Sequence, residues 1–366
     1  MFQNIYKNKK VLITGNTGFK GSWLTSWLLE LGAQVYGYSD CIPTQPSIFE
    51  ELELSSQIQH QFSDIRNFER LQGAFQKIRP DFVFHLAAQP IVSESYDDPI
   101  STITTNINGT ANILEVLRLL DYPCVAVLIT SDKCYENVEW VWGYREIDAL
   151  GGKDIYSASK GASEVLIHAY YHSFFRQKDS KVKIATGRAG NVIGGGDWSK
   201  DRIVADCMRS WSNGSPVEIR SPNSTRPWQH VLEPLSGYLT LGMLLANGYA
   251  LSGESFNFGP RSEQNHTVVD LLSDLSRHWK FKFEHDAYRI TSNIPFHEAG
   301  LLKLSCDKAL YHMKWEPTLS YQQCVGLVGA WYDKFYNSDE DIYRITKDQI
   351  KYYVSVAEKK GLQWTR

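Results

Sequence analysis

The sequence predicts an α/β fold in which a parallel sheet carries helices on both faces. Three observations predict it. Short apolar runs alternate with helical periodicity through the first half of the chain, a glycine-spaced turn joins the first run to the first helix, and later runs end in small or polar residues.

Residues 10 to 15 read as the first strand, since Val11, Leu12 and Ile13 form a short apolar run. Phe19, Trp23, Leu24, Trp27, Leu28 and Leu31 then recur at helical spacing, and Val35 to Tyr38 gives a second strand. A third strand precedes Asp64, a helix follows over about 66 to 78, and Phe82 to His85 forms the next strand. Ile103, Ile107, Ile113, Leu114 and Leu117 mark a long helix over about 98 to 120. Val125 to Thr130 returns as a strand, 156 to 175 as a helix and Val182 to Thr186 as a strand. Beyond residue 187 the rhythm breaks, and Gly190, Gly194, Gly195, Gly196, Pro216, Pro222, Pro227 and Pro260 punctuate shorter elements suited to covering the carboxyl ends of the sheet. The expected division is a sheet-bearing domain over 1–187 and a smaller mixed α/β region over 188–366, with segments crossing between them. Ser320 and Gln323 form a capping box ahead of Leu327, Val328 and Trp331, which marks a packing helix.

At 366 residues the chain is long enough for a substantial core, and its 43% hydrophobic content excludes global disorder. A formal charge of -3 argues against broad affinity for nucleic acid or anionic membrane. Met1 to Lys10 is polar and basic and lacks the apolar stretch of a secretory signal, and no later apolar run is long enough to span a bilayer. Cytoplasmic residence is therefore the expectation. Six dispersed cysteines form no CxxC pair and read as small hydrophobes. Glu164, His168 and His172 share a helix face, yet without an HExxH pattern they read as solvated or packing residues, and no metal is expected.

Gly15, Asn16, Thr17, Gly18, Phe19 and Gly21 follow the first strand and open the first helix. Gly15 permits the tight turn, Gly18 lets backbone approach a pyrophosphate, and Gly21 lets helix and sheet pack closely, while the helix start supplies backbone donors. Asp40 follows the second strand. Its carboxylate can accept hydrogen bonds from an adenosine ribose diol and repels a phosphate there, so NAD is favoured over NADP and the sheet reads as Rossmann-type. Asp64 and Ile65, with Arg66, either approach the adenine or cap the next helix. Leu86, Ala87, Ala88 and Gln89 follow the fourth strand, where small alanines admit a cofactor or simply pack.

Tyr156 and Lys160 lie four positions apart and meet on one helix face. Lys160 can lower the tyrosine pKa and bond a nicotinamide ribose, leaving Tyr156 to take a proton from an alcohol during hydride transfer. Ser131, at a strand's carboxyl end, either bonds the same reacting oxygen or is a turn hydroxyl. Alcohol oxidation needs only these residues and NAD, whereas Asp132 and Lys133 add an acid and an amine. A neutral Asp132 can protonate a departing hydroxyl, and a neutral Lys133 can remove a proton beside a transient ketone; without tuned pKa values the two form a salt bridge. The cycle built from these roles is oxidation at a sugar C4, loss of water across C5 and C6, and hydride return to C6.

The segments GNTGFKG, HLAAQP, TNINGT, TSDKCY, YSASK, GRAGNVIGGGDW and RPWQHV occur in an order that resembles the extended short-chain dehydrogenase/reductase family over nearly the whole chain. Within that family the pattern is similar to the sugar nucleotide 4,6-dehydratases. The resemblance implies retained and recycled NAD, a sugar nucleotide substrate with CDP-glucose indicated, and a 4-keto-6-deoxyhexose product for deoxysugar and cell-surface polysaccharide synthesis. It assigns Ser131 and Tyr156 to the C4 hydroxyl, Lys160 to the cofactor ribose and Asp132 to acid chemistry at C6. Lys133 stands where the thymidine-sugar enzymes carry a glutamate base, which leaves the C5 base open. Asn106 of TNINGT orders backbone near the catalytic strand.

Asn191 resembles a nucleotide-phosphate ligand, and Arg202 and Arg226 are pyrophosphate clamps or else bridge local carboxylates. Asp197 and Trp198 shape the substrate entrance, Trp198 as a stacking partner for a base or as a hydrophobic lid. His297, with Glu298 and Ala299, resembles the cytidine-sugar subgroup. Family likeness also implies a homodimer through the helices near 98–120 and 156–175, with a tetramer as a further step. The competing readings are a UDP-sugar 4-epimerase, which returns hydride to C4, and an inactive NAD-binding regulator, against which intact Ser131, Tyr156 and Lys160 argue.

Overall fold

Seven short strands form one sheet in the computed structural model, which describes residues 1–261, 263–281, 287–291 and 301–366. They are β1 (Lys10–Thr14), β2 (Gln34–Ser39), β3 (Gln59–Phe62), β4 (Phe82–His85), β5 (Cys124–Ile129), β6 (Val182–Arg188) and β7 (Ser255–Asn257). Their order is β7-β6-β5-β4-β1-β2-β3, and every pairing is parallel. Both β4 and β5 are buried along their full length, the condition of strands covered on two faces. The chain leaves β1 toward β2 on one side and β4 on the other. The carboxyl ends of β1 and β4 therefore bound the crevice where strand order reverses, the place where such sheets accept ligands.

Helices α1 (Phe19–Glu30), α2 (Phe68–Ile78), α3 (Gly109–Arg118) and α4 (Ile155–Tyr170) cover the sheet. The start of α2 is set by Asn67, whose side chain accepts from Arg70 N at 3.0 Å, so Asp64 is not its cap. The long helix expected over 98 to 120 is interrupted: Pro99–Ile103 passes through a π turn, Thr104–Asn108, before α3. A second π turn, Tyr171–Phe175, ends α4. Hydrophobic spacing marks the helices but does not distinguish one wide turn within them.

β7 comes from the region beyond residue 187 and lies beside β6, with Arg188 in register with Asn257. Between these strands runs α5 (Leu232–Ala246), which is apolar on all sides, is buried nearly throughout and packs against β5 and β6. The capping box at Ser320 and Gln323 opens α6 (Tyr321–Asn337), and α7 (Ile342–Lys359) packs against it. No helix among the described residues is long and apolar enough to cross a membrane.

One buried ion pair joins these layers beneath the strand ends. Arg188 Nε and Nη2 donate to the two oxygens of Glu164 at 2.8 and 2.7 Å, and both side chains are almost wholly buried. The carboxylate also accepts from Thr130 Oγ1 and from Ser255 Oγ, while Arg188 Nη1 donates to Tyr135 Oη at 2.7 Å and to the Glu146 carbonyl. Burial opposes the guanidinium charge, but Glu164 more than offsets it and holds Arg188 above its ordinary pKa. The network ties α4, the end of β5, β6 and β7 together through charged hydrogen bonds. Arg188→Met is expected to lower the unfolding free energy by about 3–5 kcal/mol, because Glu164 stays buried without its partner; a loss under about 1 kcal/mol in urea unfolding contradicts this role.

Candidate active site

The glycine turn after β1 lies against the loop after β4. Gly15 has φ +75°, and a Cβ there would meet the Ala87 amide nitrogen at 2.6 Å. A Cβ on Gly21 would meet the Gly15 carbonyl oxygen at 2.1 Å, whereas at Gly18 that same oxygen, at 3.5 Å, is the only atom of the described residues within 4 Å apart from its chain neighbours. The backbone at Gly18 thus faces open space at the start of α1, as a pyrophosphate requires. Asn16 and Thr17 fasten this turn to the end of β2: Ser39 Oγ donates to Asn16 Oδ1 at 2.8 Å, and Thr17 Oγ1 donates to the Cys41 carbonyl at 2.7 Å. Asn16 Nδ2 is buried without a partner among the described residues. Asp40 stands exposed beside this turn and forms no ion pair among the described residues. Phe19 packs inward, against Gly194.

Asp64 folds back on its own turn, accepting from Arg66 N at 2.7 Å and Arg66 Nε at 2.8 Å, and Ile65 is buried against Gly109. Leu86, Ala87, Ala88 and Gln89 are half-buried along the crevice. Asn106, on the first π turn, accepts from Gln89 N at 2.8 Å and donates to the Gln89 carbonyl and to Ser159 Oγ. It holds the β4 loop against α4.

Ser131 caps a tight turn, Asp132–Cys134, that follows β5 and puts Asp132 in the crevice. Ser131 Oγ donates to Asp132 Oδ1 at 3.0 Å and accepts from Lys133 N at 3.2 Å. Asn191 Nδ2 donates to Asp132 Oδ2 at 3.2 Å. A Cβ on Gly190 would fall 1.8 Å from that same oxygen, so the carboxylate lies directly on the Gly190 backbone. Gln229 holds this backbone in place, donating from Nε2 to the carbonyls of Gly190 and Phe258, each at 2.9 Å. Asp132 and Lys133 form no ion pair with each other.

Asp154 caps α4 through Ser157 N at 2.8 Å and thereby points Tyr156 and Lys160 at this turn. Lys160 Nζ stands 5.9 Å from the Tyr156 ring centroid. Burial pushes the Tyr156 phenol up to about 12, against a hydrogen bond with Ser131 that lowers it. Burial also pulls Lys160 down to about 8. The net direction at Tyr156 is upward because desolvation of the phenol outweighs its hydrogen bond with Ser131.

Asp197 turns back to Arg202, whose Nη1 donates to Asp197 Oδ2 at 2.7 Å, and Tyr332 fixes the Asp197 backbone. Arg226 is buried on a short strand paired with His266–Thr267. Trp198 is only 4% exposed, packs among Trp331, Tyr332 and Phe335, and donates to Tyr336 Oη, so its ring offers no face to a base. His297 lies outside the described residues. Glu164 points inward to Arg188, away from the exposed His168 and His172, and no cluster of three metal-ligating side chains occurs among the described residues. A small cavity beside Asp132 and Asn191 is also lined by Gln229, Arg261, Gln264 and Lys303. The last three are new to the site. Arg261 and Gln264 follow Pro260 without a motif, and Lys303 is brought in by pairing of its segment with Tyr144.

A reversing parallel sheet with a glycine turn after β1 and a Tyr/Lys pair facing the hydroxyl after β5 defines an extended short-chain dehydrogenase/reductase. The chain belongs to the GDP-mannose 4,6 dehydratase family, which it matches over residues 12–326. It is 43% identical over 360 residues to the CDP-glucose 4,6-dehydratase of Salmonella typhimurium, covering 98% of this chain and 99% of that one. An epimerase from Methanothermobacter thermautotrophicus shares the fold with a TM-score of 0.78 at 23% identity, covering 92% of this chain and 95% of its own. A dTDP-glucose 4,6-dehydratase from Streptomyces venezuelae, solved with NAD, does so with a TM-score of 0.75 at 19% identity, covering 89% and 97%.

Gly190→Ala is expected to displace the Asp132 carboxylate without touching the glycine turn of β1. Dehydratase turnover should fall about 100-fold while dinucleotide affinity, read by calorimetry, stays within about twofold; undiminished turnover contradicts the placement of Asp132.

Proposed function

We propose that this protein is an NAD-dependent CDP-glucose 4,6-dehydratase that forms CDP-4-dehydro-6-deoxy-D-glucose. The observation that carries the reading is the Asp132 carboxylate, seated on Gly190 and bonded to Ser131 and Asn191, beside Tyr156. An alcohol dehydrogenase or a 4-epimerase needs Ser131 and Tyr156 but has no use for an acid there. The 43% identity to a CDP-glucose 4,6-dehydratase over 98% of the chain supports the substrate.

NAD supplies the hydride acceptor for C4 and the hydride donor for C6. The open backbone at Gly18 fits its pyrophosphate and Asp40 its adenosine ribose, while Lys160 would hold the nicotinamide ribose. Tyr156 takes the C4 hydroxyl proton with Ser131 bonded to the same oxygen. The resulting C4 ketone acidifies the C5 hydrogen. Lys133 removes that proton while Asp132 protonates the C6 hydroxyl, which leaves as water. The Lys133 ammonium then returns a proton to C5. Ser131 touches both Asp132 and Tyr156, so it can pass the proton gained at Tyr156 back to Asp132 and close the cycle.

Asn191, Arg202 and Arg226 are assigned to the sugar nucleotide, with Asp197 orienting Arg202. The exposed Ile100, Val165 and Phe174 on the helices near 98–120 and 156–175 support a homodimer, and a sugar nucleotide dehydratase fits cytoplasmic residence in deoxysugar synthesis for surface polysaccharide such as lipopolysaccharide. Light scattering at two protein concentrations tests the dimer, and a monomer at both contradicts it.

NMR of the product made from CDP-glucose should show a new C6 methyl and a C4 carbonyl; recovery of a C4 epimer alone contradicts the proposal. Asp132→Asn should keep C4 oxidation but lower overall turnover about 100- to 10,000-fold. Lys133→Met should abolish solvent exchange at C5, and undiminished exchange removes Lys133 as the base.

A further inference from the structure

Gln229 belongs to the RPWQHV segment, yet the steps carried by Asp132, Lys133 and Tyr156 make no use of it. The residue is 2% exposed and lies on a short strand, Gln229–His230, that pairs with Val192–Ile193. That pairing brings Gln229 N to the Asn191 carbonyl at 3.1 Å, while Nε2 donates to the carbonyls of Gly190 and Phe258, each at 2.9 Å. Gly190 and Asn191 are also the residues that seat Asp132, one by close backbone contact and the other by a hydrogen bond. Gln229 and Asp132 therefore meet across the same two residues, and both line the small cavity there.

With Nε2 held by two carbonyls, the amide cannot turn over without setting oxygen against oxygen. Its Oε1 is thus fixed in direction, and it is buried without a hydrogen-bond partner among the described residues. Of the described side chains that line the cavity, Gln229 alone leaves a buried polar atom unpaired. A buried acceptor is costly to leave unbonded, so the site lacks a donor. Ionised Asp132 is itself an acceptor, and Asn191 commits its Nδ2 to Asp132. A hydroxyl placed between Asp132 and Gln229 satisfies both. Its hydrogen goes to Oε1, and its lone pair faces the carboxyl proton.

We propose that Gln229 Oε1 is the acceptor that holds the departing C6 hydroxyl in the cavity beside Asp132. The role rests on the proposed 4,6-dehydratase reading, in which that hydroxyl is lost. As the electron pair of the C5–H bond forms the second C5–C6 bond, the C6–O bond breaks and the leaving oxygen takes the Asp132 proton. The water so formed carries one hydrogen from the substrate, bonded to Oε1, and one from Asp132, which is left as a carboxylate. The amide gains and loses no proton. Its hydrogen bond strengthens as the oxygen is protonated, because the hydrogen it accepts becomes more acidic, and it therefore favours the transition state.

The test compares CDP-glucose with its analogue bearing fluorine in place of the C6 hydroxyl, in wild type, Gln229→Met and Gln229→Glu. Loss of fluoride gives the same 6-deoxy-4-keto product but offers Oε1 no hydrogen to accept. In Gln229→Met the rate of product formation from CDP-glucose, relative to the fluoro analogue, should fall about tenfold or more, with bound reduced cofactor accumulating. Gln229→Glu, which keeps an oxygen acceptor and gives up the amide that holds Gly190, should return the ratio most of the way. A ratio within about twofold of wild type in Gln229→Met overturns the proposal. A loss that glutamate leaves in place also overturns it and assigns Gln229 to holding Gly190 alone. Gln229→Leu repeats the comparison should the methionine variant not fold. Wild-type protein that makes the 6-deoxy product from neither substrate refutes the dehydratase reading and this role together, whereas wild-type turnover of both with an unchanged ratio in the variants refutes the role alone.

Discussion

The buried pair between Arg188 and Glu164 is the constraint on which the site depends. Taking two charges out of water is costly, and only a fully bonded arrangement sustains it. Here both guanidinium edges are used, and the carboxylate collects Thr130 and Ser255 as well. The pair sits two turns along α4 from Tyr156 and one turn from Lys160. Thr130 immediately precedes Ser131, and Arg188 lies two residues before Gly190. Each of the three segments that deliver the reacting groups is thus fastened to the same charge pair. A hydrophobic plug of equal volume would fill the space but would not fix the direction of α4 relative to the strand ends.

Above that pair the chemistry divides along the crevice. The face formed by β1, β2 and β4 is backbone-rich and carries few charges, Asp40 and Lys20 among them. The face formed by the turn after β5 and the loop after β6 gathers Asp132, Lys133, Asn191 and Arg202. Tyr156 and Lys160 stand between the faces, where one alcohol carbon can meet both a cofactor and an acid. Seating Asp132 on a glycine backbone gives the carboxylate a fixed address without a salt bridge. The dehydratase reading depends on that placement more than on the Tyr/Lys pair, which many alcohol-oxidising enzymes of this fold use.

The sheet was legible where its strands are apolar, as in β1, β4 and β5, and where a helix carries one apolar stripe, as in α2, both local properties. The same holds for the glycine turn and for the one-turn spacing of Tyr156 and Lys160. Features made by distant contacts were not legible. β7 is three residues long, Ser-Phe-Asn, and becomes a strand only by pairing with β6. Glu164 read as a solvated or packing residue on a helix face shared with two histidines, but its partner is Arg188, 24 residues away. Gly190 read as punctuation until a carboxylate was found on it. Gly195 and Gly196 are glycine because Trp331 and Ile48 press on them, and Trp198 is drawn into that aromatic packing instead of facing a ligand.

The central claim is that one site oxidises C4, eliminates water and returns the same hydride to C6. It is tested most directly by supplying CDP-glucose deuterated at C4 and locating the label in the product by NMR. Deuterium is expected in the C6 methyl group without release of reduced cofactor. Label retained at C4, or lost to solvent or to free reduced cofactor, would contradict it.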